Sequence, residues 1–130
     1  MTRADESQVA CRPMYGNVRP LLNEVAHALD KLLDTGEPTM IDLAGLPFGP
    51  GELEELEAAL GSGELSAQLD ALGASSIRET ACPGVWWLEH RNVNDEIVGR
   101  FLEITRTPEI LSSQEADIAA GRARLGEQFE

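Results

Sequence analysis

From Leu21 to Leu33 the apolar residues recur at helical spacing. Leu21, Leu22, Val25, Ala26, Leu29, Leu32 and Leu33 line one side, while Asn23, Glu24, His27, Asp30 and Lys31 fall between them. Asn17 is placed to cap the start, and Pro20 fits the first turn, where its missing N–H costs nothing. Gly36 supplies the left-handed residue that ends a helix most easily. The spacing predicts a helix over 17–36. Thr39-Met40-Ile41-Asp42-Leu43, bounded by Pro38 and Gly45, predicts a short strand. The loop Leu46-Pro47-Phe48-Gly49-Pro50-Gly51 is too rich in glycine and proline for regular structure. It leads into a second helix from Gly51 to Leu60, with Leu53, Leu56 and Leu60 on one face. Glu52, Glu54, Glu55 and Glu57 crowd its first turns, where carboxylates complement the helix dipole and need no ligand to explain them.

After Gly61-Ser62-Gly63 the period changes to two. Leu65, Ala67 and Leu69 alternate with Ser66, Gln68 and Asp70, the first strand of a run that continues at Ser75–Ala81 and Val85–Arg91. Asn92-Val93-Asn94-Asp95 is a turn, and Glu96–Arg106 the returning strand of a hairpin. Thr107-Pro108 then predicts a helix start with proline in the first helical position. Ser112-x-x-Glu115 has the form of a capping box for a last helix to about Leu125. Residues 1–16 have mixed charge and no apolar period, so they read as a flexible arm before a single domain over 17–130. The element order predicts an α+β fold: a mostly antiparallel sheet of about five strands with helices packed on one face.

Composition narrows the choice of partner. The 130 residues include 10 Lys plus Arg against 23 Asp plus Glu, a formal net charge of −13. Such a surface repels phosphate backbones and anionic lipid heads, so neither nucleic acid nor a membrane surface is an expected partner. Solubility alone, or a basic protein partner, accounts for the charge. No segment approaches the roughly 18–20 apolar residues that span a bilayer. Met1 to Met14 lacks the basic start and apolar core of a secretory signal, and the expected location is cytoplasmic. Cys11 and Cys82 then read as free thiols.

Candidate chemistry is sparse. Cys11, Cys82, His27 and His90 could handle a metal or a cluster, but they form no Cys-x-x-Cys or His-x-x-x-His pair, so no metal or cofactor is expected. Cys82, at the Pro83-Gly84 turn, and His90, on the next strand, are the one pairing that could serve nucleophilic catalysis. No phosphate-binding loop is present: the glycines around Pro47 lack the Lys-Ser/Thr that would meet a nucleotide.

Trp86 and Trp87 carry more information. Neighbouring strand residues point to opposite faces, so the two cannot share a one-sided core. One is expected under the helices. The other needs a second core, a covering segment such as the final helix or the N-terminal arm, or a partner, and tryptophan and arginine often anchor interfaces.

These residues also carry a resemblance. Ile77-Arg78-Glu79-Thr80 and Pro83-Gly84-Val85-Trp86-Trp87-Leu88-Glu89-His90-Arg91-Asn92 resemble the C-terminal conserved region of the HupH/HyaF/HoxQ hydrogenase expression/formation proteins. So do Glu103-Ile104-Thr105-Arg106-Thr107-Pro108-Glu109-Ile110-Leu111, with Gln114 and Asp117 after it. Gly36–Leu43, Leu46-Pro47 and Leu69–Gly73 fit the same region, and the resemblance runs from about Val18 to Leu125. Members of the family are often longer, with an additional N-terminal portion. The resemblance implies a cytoplasmic accessory protein of nickel–iron hydrogenase maturation, linked to the iron–sulfur small subunit before export. It implies an assembly or chaperone-like factor and not an enzyme with a known reaction.

Together these readings predict a protein-binding surface drawn from Ile77, Arg78, Glu79, Trp86, Trp87, Glu89, His90, Arg91, Asn92, Pro108, Glu109 and Gln114. The expected client is a hydrogenase small-subunit precursor or another maturation protein, and an uncovered sheet face could also form a homodimer. On this reading Trp87→Ala leaves folding largely intact and weakens capture of the client.

Overall fold

The computed structural model describes residues 18–70 and 72–129. The expected N-terminal arm, the Asn17 cap and Cys11 lie outside the described residues. Helix α1 spans Val18–Thr35 and buries Val18, Leu21, Val25, Ala28 and Leu32, one stripe at helical spacing. Ala28 belongs to that stripe, whereas Ala26 and Leu33 are exposed. Strand β1 is Thr39–Asp42, and α2 is Glu52–Leu60. The side chain of Glu52 reaches back to accept the Gly49 N–H at 2.7 Å and closes the start of α2. Within the irregular loop before it, Leu46 and Phe48 still pack against the core.

The remaining strands are β2 (Ser66–Asp70), β3 (Ala74–Glu79), β4 (Val85–Arg91) and β5 (Ile97–Ile104). They form a five-stranded sheet in the order β1-β5-β4-β3-β2, with every pairing antiparallel. The fold is α+β, as the pattern of elements implies. The β4–β5 hairpin turns at Asn92, whose side-chain oxygen accepts the N–H groups of Asn94 (2.9 Å) and Glu96 (3.0 Å). That asparagine is a local substitute for ladder pairing.

Two apolar clusters lie on opposite faces of the sheet. On one face Val85, Trp87, Leu102, Ile104 and Ile41 pack with Leu21, Val25 and Leu32 of α1 and Leu56 and Leu60 of α2. On the other, Trp86, Leu88 and Ile77 are buried with Phe101 against them. Val85 to Leu88 are consequently buried without interruption, as in a strand covered on both sides.

The C-terminal expectations need correction. Pro108 does not open an α-helix; it precedes a single 3-10 turn, Glu109–Leu111. Ser112 ends that turn in extended backbone, its N–H donating to the Glu109 carbonyl at 2.9 Å. It stands two residues before the cap position, Gln114, whose carbonyl accepts the first helical bond, so the expected capping box does not form. Helix α3 begins at Glu115 and runs to Phe129, with the Ile118 N–H bonded to the Gln114 carbonyl at 3.0 Å. Helix α3 buries none of its residues, so it does not cover a tryptophan. Among the described residues no helix is long and apolar enough to cross a membrane.

Candidate protein-binding surface

The alternation of β4 sends Trp87 and Glu89 to the helix-covered face and Trp86 and His90 to the other. Trp87 is 1% exposed, held in the helix-side core. Its indole N–H donates to the Glu89 carboxylate at 3.1 Å, and the same oxygen accepts from Arg100 Nε at 3.0 Å. Arg78, opposite Trp87 on β3, stacks its guanidinium 5.1 Å from the indole centroid and forms an ion pair with Glu57 of α2. Burial pushes the Glu89 pKa up, but the Trp87 N–H and the charges of Arg100 and Arg78 more than offset it. The net position is below the usual carboxylate range. This set ties α2 to the sheet.

Trp86 is also buried, at 5% exposure, and its indole N–H donates to the Thr105 carbonyl at 3.2 Å. Beside it on β5, Glu103 is 6% exposed and its carboxylate accepts the Glu109 N–H at 3.4 Å. Burial raises the Glu103 pKa; the Glu109 N–H opposes this and the Glu109 carboxylate reinforces it. The segment after β5 thus folds back over this end of the sheet and buries Pro108. It answers the question raised by the paired tryptophans. Each indole has its own core.

The expected surface therefore divides. Ile77, Trp86, Trp87 and Pro108 are buried, so no partner meets them in this conformation. The expectation that Trp87→Ala would spare folding is corrected by its place in the core. Arg78 and Glu89 are half-buried and paired. His90 is half-buried, its Nδ1 2.8 Å from the Ser75 hydroxyl and its ring tilted against Phe101 at 5.7 Å. Arg91 donates to the Asp95 carbonyl at 3.0 Å, and Asn92 shapes the hairpin turn. Glu109 and Gln114 are exposed. The Trp86 and His90 ends of β4 lie roughly 13 Å apart at about 3.3 Å per residue. The hairpin tip and the Glu109–Gln114 segment are thus separate patches. A groove lined by Leu29, Leu32, Leu33, Glu79, Pro83, Gly84 and Arg106 adds a third.

The other chemical sets do not assemble. Cys82 packs at the helix-side core in the β3–β4 turn. His90 lies on the opposite face, roughly 16 Å beyond Val85 at about 3.3 Å per residue, and its partner is Ser75. His27 is exposed on α1. Among the described residues no group of three or more His, Cys, Asp or Glu could hold a metal ion. Sequence reasoning missed Glu103, because a glutamate between Leu102 and Ile104 reads as the solvated member of an alternating strand.

The model of the HupH hydrogenase expression protein C-terminal conserved region matches residues 15–130. A solved structure of the hydrogenase expression protein HupH from Thiobacillus denitrificans ATCC 25259 is 50% identical, with a TM-score of 0.83, covering 87% of this chain and 94% of that one. The hydrogenase expression/formation protein HoxQ of Azotobacter vinelandii is 29% identical over 113 residues, 85% of this chain and 40% of the relative. HupH of Rhizobium leguminosarum bv. viciae is 26% identical over 114 residues, again 40% of its length. The chain thus spans less than half the length of these curated relatives. Matched over nearly all its length and superposing on a solved member, the chain belongs to the HupH hydrogenase expression protein family through that family's C-terminal conserved region.

Proposed function

We propose that the chain is a non-catalytic accessory factor of nickel–iron hydrogenase maturation, working in the cytoplasm by binding the iron–sulfur small-subunit precursor or another maturation protein. The observation that carries this reading is the match of residues 15–130 to a hydrogenase expression family. The geometry supports a contact role in two ways. The tryptophans and their polar partners build a double-cored sheet, and the candidates left outside its cores lie at its rim: the half-buried Arg91–Asn92 tip and the exposed Glu109–Gln114 segment. Cys82 packs at the helix-side core and His90 lies on the opposite face, so the two do not form a thiol–imidazole pair; the hydroxyl at His90 Nδ1 is that of Ser75.

Affinity capture from cells expressing hydrogenase tests the reading. The unaltered chain should retain the small-subunit precursor or a maturation protein. Arg91→Glu and Glu109→Lys, both at the rim, should reduce retention about tenfold, a loss of about 1.4 kcal/mol, with the melting temperature unchanged. Retention of no hydrogenase-related protein would end the proposal. Equal retention by both variants would move the contact surface elsewhere.

A further inference from the structure

Among the described residues strand β2 is an open edge: it pairs with β3 alone, and all its residues except Ala67 are exposed. The Glu79 N–H donates to the Leu65 carbonyl at 2.8 Å, which fixes the ladder phase. Leu65, Ala67 and Leu69 turn their backbone groups toward β3, so the N–H and C=O groups of Ser66, Gln68 and Asp70 point outward. Natural edges are blunted by proline, lysine, a bulge or a cover. Ser66–Asp70 has no proline or lysine, and the irregularity of the sheet falls at His90/Arg91 instead. The opposite edge, β1, is shorter and directly follows Pro38.

The side chains of this edge have two characters. Leu65 and Leu69 are 60% and 41% exposed and continue, through Ala67 opposite Ile77, the apolar row of the second core. Ser66, Gln68 and Asp70 form the polar row. Glu64 precedes the strand and Asp70 ends it, and neither forms an ion pair among the described residues. A second copy of the chain would bring another net charge of −13 to this edge, which works against self-pairing. A cationic strand is favoured by the same charge.

We propose that β2 takes an extended segment of a partner protein as a sixth strand, one that alternates apolar residues facing the Leu65–Leu69 row with Lys or Arg facing the Ser66–Asp70 row. This deepens the protein-binding reading above and rests on it.

The probe is a short synthetic peptide alternating valine with lysine, compared with its glutamate counterpart. The lysine peptide should bind saturably and slow amide exchange at Ser66, Gln68 and Asp70; the glutamate peptide should not. Gln68→Pro removes only an outward N–H, so the fold should keep its ladder, and it should weaken binding about tenfold or more. The double variant Glu64→Lys, Asp70→Lys should weaken it about fivefold and flatten its salt dependence. Binding that Gln68→Pro leaves intact, exchange that slows elsewhere, or no binding at all would overturn the assignment. So would self-association that Gln68→Pro abolishes, because the occupant would then be a second copy. The exchange measurement uses the unaltered chain and decides the matter if the proline variant melts early. Loss of client capture by the unaltered chain, with the edge still protected by peptide, would sink the maturation reading and leave the edge standing. Full capture of the client by folded Gln68→Pro would do the reverse.

Discussion

Glu103 and Glu89 sit on neighbouring strands and respond to pH in opposite directions. Glu103 has a folded-state pKa raised chiefly by burial. Its relative contribution to stability is full below the unfolded carboxylate pKa and is lost as pH rises through the folded one. Glu89 has a folded-state pKa below its unfolded value, so its contribution is present above the unfolded pKa and lost as pH falls through the folded one. Glu103→Gln keeps an oxygen to accept the Glu109 N–H and removes the buried charge. It should raise the melting temperature at neutral pH by a few degrees, a change of about 1 kcal/mol for a chain of this size. The gain should vanish in thermal melts below about pH 4, where an unperturbed glutamate is protonated. Trp87→Ala deletes an indole from the helix-side core. Loss of a buried tryptophan costs about 3–5 kcal/mol, enough to read directly in a denaturant titration; an unchanged midpoint would contradict its placement.

The strands and α1 were legible because each repeats one local rule over several residues. Strand β4 came out at its expected bounds, and α1 within a residue or two. Period-two alternation separates the faces of a strand but does not say whether the second face is covered. Trp87 therefore looked available to a partner when it is the central residue of a core. The covering of Trp86 depends on Thr105 and Glu109 returning across the sheet, a tertiary event with no periodic trace. The ending of the 3-10 turn at Ser112 was hidden for a similar reason: a capping box and an extended residue before a helix share the same letters. Between β2 and β3, Gly73 has φ +125°, and a Cβ there would run into the Arg91 carbonyl. Gly73→Ala should therefore cost about 2 kcal/mol or more through strain and displacement. It should also speed amide exchange at both the β2–β3 turn and Arg91–Asn92, because the two turns press together. Exchange altered at one turn alone would argue against that contact.

At the scale of the molecule, one sheet serves two cores, and the sequence as a whole carries a formal net charge of −13. Family membership assigns the region, while the rim segments, the groove by Arg106 and the β2 edge are the places the proposed binding role draws on. The tryptophans are the chain's only two, and they stand back to back on either side of a single strand. They give the protein a pair of optical reporters that share a backbone but not an environment. A chain retaining only Trp87 signals by its emission when the helical layer loosens. A chain retaining only Trp86 signals when the strap after β5 lifts. The order in which the two layers part during unfolding can thus be timed without any added label.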